Sequence, residues 1–333
     1  MLRTLIRVSA GTAGVMNLIR ARVDAPPTTA YLMVGERCAF DCGFCPQAKG
    51  ASSRVEMLSR VTWPEFDEDE VLRALAGRRA AEAFKRVCVQ VVHGGGALRR
   101  AENLVRAMTS AARNVSGPGL PVSVSVHVGG LSDAVRLFEA GAERLGLPVD
   151  AATPSVYSRV KGGSWERAVA RVWEVAAAFP GRVGTHLVAG LGETEEEMAR
   201  AIQAMYDCGV TVGLFAFTPV KGTRMEAVRP PPMDSYRRLQ VVHFLIRTGR
   251  SRAERMTFRD GMITGYGLDA RELVAALRSG GAFLTTGCPG CNRPYYNERP
   301  GRTLYNYPSG PDPAEIEAAI RCSMPVTEGE SAE

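Results

Sequence analysis

Three cysteines stand close together near the start of the chain. Cys38, Cys42 and Cys45 lie in the stretch CAFDCGFC, four and then three positions apart, directly after an apolar run that ends at Gly35. Thiolates bind zinc or the irons of an iron–sulfur cluster, and a structural zinc site closes with four protein ligands. Because three thiols share one loop with no fourth beside them, we expect a cluster that keeps one iron open for a substrate or cofactor.

A second group of cysteines lies towards the other end of the chain. Cys288 and Cys291 flank a Pro-Gly turn in TTGCPGCNRPYYNERPG, which can aim both thiolates at one metal centre, and Cys322 could return as a third ligand. The pattern predicts an auxiliary cluster, with Ser323, Cys88, an exogenous group or sulfide as its fourth ligand. A redox dithiol and a small zinc knuckle are the alternatives, although a second cysteine pair to complete zinc is missing.

Composition excludes several classes of protein. The 333-residue chain has a formal net charge of +6, with basic residues scattered through predicted helices, which does not indicate nucleic-acid binding. No stretch approaches the roughly 20 apolar residues that a membrane-spanning helix needs. Eight cysteines in spaced clusters, without a secretory signal, are typical of metal ligands and predict a reducing, cytoplasmic location.

The elements that must position these thiols follow a repeating pattern. From residue 30 onward, short β-rich runs alternate with helical ones, in seven or eight repeats. This alternation predicts an α/β fold with a closed (β/α)8 barrel of the TIM type, for which roughly 250 residues is usual. A doubly wound open sheet is the alternative. The seventh and eighth strands are expected in ERMTFR and AFLTT. The predicted division is a helical N-terminal extension at 1–29, the barrel at 30–286 and a cluster-binding tail at 287–333.

Side-chain alternation predicts a polar lumen. The third predicted strand alternates Ser123, Ser125 and His127 with valines. In a barrel one parity faces the helices and the other faces the lumen, so the polar set should point inward. The same parity directs Cys88 and Gln90 inward, with a buried structural thiol as the alternative for Cys88.

One later helix can be delimited from its ends. Thr194 with Glu197 forms a capping box, and Gly209 ends the helix. Cys208 falls on the apolar stripe of this helix. We therefore expect Cys208 to be a core thiol without a ligand role.

The loop CAFDCGFC, with Phe44 before its last cysteine, closely resembles the cluster loop of radical S-adenosylmethionine (SAM) enzymes. In that family, three cysteines hold a 4Fe-4S cluster whose open iron binds the amino and carboxylate groups of SAM. Electron transfer from the cluster then releases a 5′-deoxyadenosyl radical. The resemblance implies the same cofactors here, with Cys38, Cys42 and Cys45 as the catalytic ligands, and a zinc or structural metal site is the alternative.

Further segments resemble the cofactor contacts of that family. HGGG at 93–96 is similar to the glycine-rich segment whose backbone holds the methionine amino group. HLVAGLGE at 186–193 is similar to the adenine-side motif GxIxGxxE, with a histidine in place of the first glycine. Asp150 matches a ribose-contacting acid of biotin-synthase-like members, and a helix cap is the alternative. The implied cofactor-binding residues are Phe44, Gly94, Gly95, Gly96, Asp150, His186 and Glu193.

Two features indicate a branch of the family. RVGTHLVAGLGETEEEM and PVKGTRM resemble biotin synthase and its relatives. Biotin synthase, however, holds a second, sulfur-donating cluster with cysteines from several strands, and only Cys88 stands at such a place here, so biotin formation is disfavoured. The tail CPGCNRPYYNERPG instead resembles biotin-synthase-related proteins that act in pairs as the archaeal-type lipoyl synthase.

That second resemblance implies sulfur insertion into an octanoyl chain on a lysine of a carrier domain. The adenosyl radical would remove a hydrogen, and the carbon radical would take sulfide from an auxiliary 4Fe-4S cluster at Cys288, Cys291 and Cys322. The implied partners are an octanoylated carrier of the lipoyl-domain or H-protein type, a second lipoyl synthase subunit and an electron donor such as ferredoxin or flavodoxin. The alternatives are another biotin-synthase-like radical reaction on a small molecule, such as a rearrangement or cofactor maturation, and a non-catalytic iron–sulfur protein.

Overall fold

The structure, a computed structural model, describes residues 4–22, 24–113, 119–298, 301 and 303–325. The outer ends of the predicted extension and tail, at 1–3 and 326–333, lie outside the described residues. The strands are β1 (Leu5–Val8), β2 (Thr29–Val34), β3 (Met57–Leu58), β4 (Val61–Thr62), β5 (Glu65–Asp67), β6 (Arg86–Val91), β7 (Val122–Ser125), β8 (Arg144–Gly146), β9 (Val183–Ala189), β10 (Thr211–Ala216), β11 (Thr257–Arg259) and β12 (Met262–Gly265). The helices are α1 (Ala10–Val15), α2 (Glu68–Ala76), α3 (Arg78–Ala83), α4 (Ala97–Arg113), α5 (Leu131–Glu139), α6 (Pro154–Val160), α7 (Trp165–Ala178), α8 (Glu195–Asp207), α9 (Met233–Arg247), α10 (Ala270–Leu277) and α11 (Pro313–Cys322). None of the helices in these ranges combines the length and apolarity needed to cross a bilayer.

The central sheet is mostly parallel. Within the described ranges, its eight strands run in the order β10-β9-β8-β7-β6-β2-β1-β5. The strands β10, β9, β8, β7, β6 and β2 are parallel to one another. In contrast, β1 pairs antiparallel with β2 on one side and with β5 on the other. The fold is therefore α/β and of the TIM-barrel type, as predicted.

Strand alternation separates the core from the lumen. In β9, Val183, Thr185, Leu187 and Ala189 are buried, while the residues between them are half-buried on the other face. The buried parity joins the apolar sides of the surrounding helices in one continuous core. Since each fully buried aliphatic side chain contributes roughly 1.5–3 kcal/mol, this core holds the strands in register and leaves the inner face free for other side chains.

The predicted helical extension at 1–29 is wrong for its first described residues. β1 lies between β2 and β5, and α1 is a helix of six residues. Ile6 and Val8 in β1 are buried, and β-branched side chains favour a strand where partner strands are available. Tertiary pairing therefore overrides the amphipathic pattern of this segment.

The segment predicted as the seventh barrel strand forms a separate hairpin instead. β11 pairs antiparallel with β12. The connecting Asp260 and Gly261 have positive φ angles of 51° and 76°, as a tight two-residue hairpin turn requires. The Asp-Gly pair in RDGM was the local sequence signal for this turn.

The segment predicted as the eighth strand, AFLTT, lies beside the sheet and makes an isolated bridge rather than a ladder. Thr286 Oγ1 accepts a hydrogen bond from the Leu214 N–H of β10 at 2.9 Å. Further along, Asn292 Oδ1 accepts one from the Thr28 N–H at 2.9 Å. The tail therefore crosses from β10 to the amino-terminal end of β2.

The helix predicted after Thr194 is confirmed, but the predicted burial of Cys208 is wrong. α8 begins with the capping box of Thr194 and Glu197. The apolar stripe is buried as far as Met205. Cys208 is the C-terminal cap residue and is exposed, because the helix ends before this position completes a packed turn.

Candidate active site

The three-cysteine loop lies at the carboxyl end of β2, the end of a TIM-type barrel where chemistry is built. The Cys38 N–H donates to the Gln47 carbonyl at 2.9 Å, and the Cys45 N–H donates to the Cys42 carbonyl at 3.0 Å. These bonds curl the loop back on itself. Cys38 interacts electrostatically with Cys42, and both interact with Cys45, so the structure brings the three predicted ligands together.

The surroundings of these thiols fit a cluster. Burial raises the pKa of Cys42 to about 11 and the pKa of Cys45 to about 12. Since the thiolate is the ligand form, a cationic centre must stabilise it here. In the part of the chain that the structure describes, no three His, Cys, Asp or Glu side chains converge on a single metal ion. Three thiols in one loop with no fourth cysteine beside them fit a 4Fe-4S cluster with one open iron better than a structural zinc site, which closes with four protein ligands.

Arg7 of β1 supports the cluster loop. Its buried guanidinium donates to the carbonyls of Gly35, Glu36 and Val55, with Glu36 at 3.1 Å. One planar group with five donors thus fixes both ends of the loop. Sequence reasoning missed Arg7, since a single arginine near the terminus carries no signal of these distant acceptors.

Replacing Arg7 with methionine should lower the free energy of unfolding by about 3 kcal/mol, because three carbonyl groups of the loop lose a charged donor. We also expect a lower iron content after reconstitution, since the loop loses its support. Thermal unfolding and iron analysis measure the two effects, with the exposed Arg20→Met as the control. An Arg7→Met protein with wild-type stability and iron content would contradict the role of this residue.

The glycine-rich segment after β6 approaches the cluster loop. The Ala39 N–H donates to the His93 carbonyl at 2.6 Å, and Gly94 packs against the loop backbone. A Cβ atom added at Gly95 or Gly96 would meet no atom within 4 Å. A glycine backbone that borders open space lets a ligand approach closely, as expected of a segment that binds the methionine amino group of SAM.

Asp150 forms a buried ion pair after β8. The Lys161 Nζ lies 2.7 Å from Asp150 Oδ2, and the two side chains are 3% and 13% exposed. Sequence reasoning missed Lys161, because a lysine at a helix end usually faces solvent. The acid at the predicted ribose position is therefore fixed by a partner.

His186 lies on the inner face of β9. Burial, with help from Arg293, lowers the pKa of His186 to about 4, so its ring is neutral at pH 7. The ring packs edge-on against Phe215, with 5.1 Å between centroids. His186 therefore presents a neutral aromatic surface where the resembling motif has glycine.

Glu193 does not face the same space. Its carboxylate accepts two N–H groups of its own loop, from Gly190 at 2.7 Å and Leu191 at 3.0 Å. Glu193 therefore shapes the loop after β9, and its contact with the cofactor stays a prediction.

A chamber of about 210 Å³ runs down the barrel from the cluster loop. Phe44 and Cys45 line its mouth, and Cys88, Cys288 and Cys291 line its base. The wall between them is mainly apolar, with Leu58, Val188, Phe215 and Phe217, and its polar members include Gln90, Asp150, His186 and Arg293. The inward direction predicted for Cys88 and Gln90 is confirmed.

Three thiols gather at the chamber base. Burial and the neighbouring thiols of Cys288 and Cys291 raise the pKa of Cys88 well above its usual range. The Tyr31 Oη, buried in β2, lies at hydrogen-bonding distance, 3.1 Å, from Cys291 Sγ. This donor set resembles that of the cluster loop in having three half-buried thiols, and it adds a hydroxyl that can stabilise a thiolate.

The turn between Cys288 and Cys291 is fastened to the barrel. Arg86 Nε donates to the Pro289 carbonyl at 2.8 Å, and Thr28 Oγ1 donates to the Gly290 carbonyl at 2.6 Å. Arg86 is itself held by Glu143 at 2.9 Å. The tail therefore delivers its two thiols to a fixed place beneath the lumen.

The structure does not bring Cys322 to this pair, which corrects the prediction that it is the third ligand. Cys322 ends α11, which packs against α9, and its charged neighbours are Asp234, Arg237 and Arg238. It is not part of the chamber lining. Cys88 lies beside the pair instead, although it was predicted only as a candidate for the fourth position. It reaches the lumen because its position in β6 directs its side chain inward.

The mostly parallel barrel and the three-thiol loop at its carboxyl end define a cluster-binding barrel enzyme. The family model described as Radical SAM superfamily matches residues 32–205, just over half of the chain. The chain belongs to the radical SAM superfamily. Membership implies a 4Fe-4S cluster and SAM, which the mouth of the chamber fits.

Two curated relatives are biotin synthases. The chain is 32% identical over 220 residues to that of Nocardioides sp. (strain ATCC BAA-499 / JS614), covering 64% of this chain and 56% of the relative. It is 24% identical over 195 residues to that of Aquifex aeolicus (strain VF5), covering 57% and 54%. The chain thus spans about half the length of the curated relatives that it matches.

Among solved structures, the chain is similar to HydG, a maturase of the FeFe-hydrogenase. The TM-score is 0.53 at 14% identity, with 64% of this chain and 48% of that chain covered. At this identity the likeness shows a shared fold alone.

Proposed function

We propose that this chain inserts sulfur into an octanoyl chain carried on a lysine of a carrier domain, forming the lipoyl cofactor together with a second radical synthase. One observation carries the proposal: a single chamber is lined by Cys45 of the three-cysteine loop at its mouth and by Cys88, Cys288 and Cys291 at its base. A radical source and a sulfur source at opposite ends can act on one alkyl chain between them. The resemblance of the tail to paired lipoyl synthases supports the choice of substrate.

In this proposal, Cys38, Cys42 and Cys45 hold the radical cluster, and Cys88, Cys288 and Cys291 hold an auxiliary 4Fe-4S cluster. When bound, these groups and SAM supply a 5′-deoxyadenosyl radical and a transferable sulfide. The chain's own contribution is to hold the reacting groups in line and to exclude competing hydrogen donors. The fastened turn between Cys288 and Cys291 suits that task, since it fixes two of the base thiols.

The chamber wall suits a saturated acyl chain. Leu58, Val188, Phe215 and Phe217 offer an apolar surface between the two thiol groups. Each methylene buried there contributes about 0.8 kcal/mol, so an eight-carbon chain gains most of its affinity from the wall. Removing hydrogen from an unactivated carbon needs no general acid or base, and neutral His186 is compatible with such a chamber.

The side chains on the inner faces of the strands argue against biotin formation, which is the activity in the names of the two relatives. Ser123 and Ser125 of β7 stand in register with Cys88 and Gln90 of β6, and His186 of β9 lines the chamber. Serine and histidine therefore occupy inner positions where a strand-held cluster needs cysteine. This favours an auxiliary cluster whose ligands come mainly from the tail. It also favours sulfur insertion into a substrate other than the precursor of biotin.

The proposal includes three partners: an octanoylated carrier, a second synthase, and a ferredoxin or flavodoxin as electron donor. Its test incubates the reconstituted, reduced protein with an octanoyl-carrier peptide and SAM, with and without a candidate second synthase, and measures the mass of the peptide. We expect the mass of one sulfur atom to be gained with this chain alone and a further one with the partner. Formation of 5′-deoxyadenosine without any sulfur on the peptide, under both conditions, would exclude this substrate.

A further inference from the structure

Lys161 is a buried cation that membership of the superfamily does not explain. It follows α6, and its side chain is 3% exposed. Its ammonium group donates to the Pro148 carbonyl at 2.8 Å, the Val149 carbonyl at 3.3 Å and Asp150 Oδ2 at 2.7 Å. Because an ammonium group has three N–H donors, all of them are used. Lys161 is therefore a fixed anchor with no donor left for a substrate.

These bonds hold Asp150 in an uncommon conformation. Its φ angle is 67°, a region that non-glycine residues rarely occupy unless the surroundings enforce it. The Asp150 N–H donates to the His186 carbonyl at 2.7 Å, and the Val188 N–H donates to the Asp150 carbonyl at 2.8 Å, which join this segment to β9. Asp150 lines the chamber, and its Oδ1 has no hydrogen-bond partner among the described residues. One carboxylate oxygen is thus held by Lys161, and the other is left for a ligand in the chamber.

The end of α6 also holds the cluster loop. The Gly43 N–H, next to Cys42, donates to the Val160 carbonyl at 2.7 Å. Arg224 Nη2 donates to the same carbonyl at 3.3 Å. The turn at 160–161 therefore contacts the chamber carboxylate on one side and the cluster loop on the other.

We propose that Lys161 is a positioning residue that joins the two halves of the cofactor site. It presents Oδ1 of Asp150 to the hydroxyl groups of bound SAM, and it keeps a fixed positive charge beside the cluster ligand Cys42. The first role governs the affinity for SAM, and the second favours the reduced, more negative cluster. Both roles rest on membership of the superfamily, so they hold or fail independently of sulfur insertion.

The two roles can be separated by a double-mutant cycle. Lys161→Met, Asp150→Asn and the double variant are reconstituted, and their iron content, dissociation constant for SAM and cluster reduction potential are measured. We expect Lys161→Met to weaken SAM binding roughly ten- to hundred-fold, as is usual for residues that orient a ligand-binding group, and to lower the potential. When Asp150 is already asparagine, Lys161→Met should weaken SAM binding little further, because its effect on affinity acts through Asp150. It should still lower the cluster reduction potential, because that effect does not act through Asp150.

Lys49→Met is the matched control, because Lys49 is an exposed lysine near the same loop and should change neither quantity. A Lys161→Met protein with full iron content and wild-type values for both quantities would overturn the proposal and leave the ion pair purely structural. If the single variant does not fold, the double variant decides, since it leaves no buried charge unpaired. An unchanged potential in the double variant, relative to Asp150→Asn, would then overturn the role of the charge.

Discussion

Replacing Cys42 with alanine is expected to abolish reductive cleavage of SAM, with the rate of 5′-deoxyadenosine formation falling by a factor of roughly a thousand or more. The reason is structural. Cys42 is one of three half-buried thiols in a loop with no fourth cysteine beside it, so only two ligands remain for the cluster. Anaerobic incubation with dithionite and SAM, followed by chromatography of the nucleoside, measures the effect.

Cys208 provides the matched control for that experiment. It is an exposed thiol at the end of α8, outside both groups of cysteines. Cys208→Ala should keep its cluster and cleave SAM at the wild-type rate. Wild-type cleavage by Cys42→Ala, or equal losses in both variants, would contradict the assignment of the mouth thiols.

Replacing Cys88 with alanine should remove about four of roughly eight irons per chain and abolish sulfur transfer, while cleavage of SAM continues. Cys88 is the strand residue that lies beside the two tail thiols at the chamber base, and its loss leaves two ligands for the proposed auxiliary cluster. The mouth cluster has separate ligands and should stay intact. Iron and sulfide analysis, with 5′-deoxyadenosine formation measured on the same sample, separates the two sites.

Cys322→Ala distinguishes the assignment made from the structure from the one made from the sequence. Cys322 lies on α11, among charged residues of α9, and should be dispensable for both clusters. If Cys322→Ala lost the four irons and Cys88→Ala kept them, the third ligand would be the one that the sequence pattern indicated. Loss of all iron in Cys88→Ala would instead show that the two groups of thiols do not act separately.

The features that the sequence could predict are those with a local or periodic signal. The spacing of Cys38, Cys42 and Cys45 places three thiols in one loop whatever surrounds it. The alternation in β6 and β7 determines that Cys88 and Ser123 share the inner face, because a strand has a period of two residues. The capping box at Thr194 marks the start of α8 in the same way.

The features that the sequence could not predict depend on partners far apart in the chain. Arg7 reaches carbonyls of the cluster loop only after β1 has paired with β2, and Lys161 reaches Asp150 only after α6 has packed. The local sequence around either residue does not indicate its hydrogen-bond acceptors. The sequence pattern predicts that the chain returns Cys322 to the tail pair, but the ten-residue helix α11 that ends with Cys322 packs against α9 instead.

The proposed roles of the two ends of the chamber agree with how each end is built. The mouth thiols lie on a loop that is held by backbone hydrogen bonds and by Arg7, beside open glycine backbone that can admit a ligand. The base thiols are held by a turn that is fastened to Arg86 and Thr28. An open end suits a cofactor that must bind and leave, whereas a closed end suits a resident group.

The origin of the sulfur in the product tests the central claim most directly. Protein reconstituted with a heavy sulfur isotope in its clusters is given an octanoyl-carrier peptide and SAM for a single turnover, and the peptide mass is measured. We expect heavy sulfur on the peptide from the wild type and none from Cys88→Ala, although both form 5′-deoxyadenosine. Light sulfur on the peptide, or 5′-deoxyadenosine without any sulfur on the peptide, would contradict a sulfur-donating cluster at the base of the chamber.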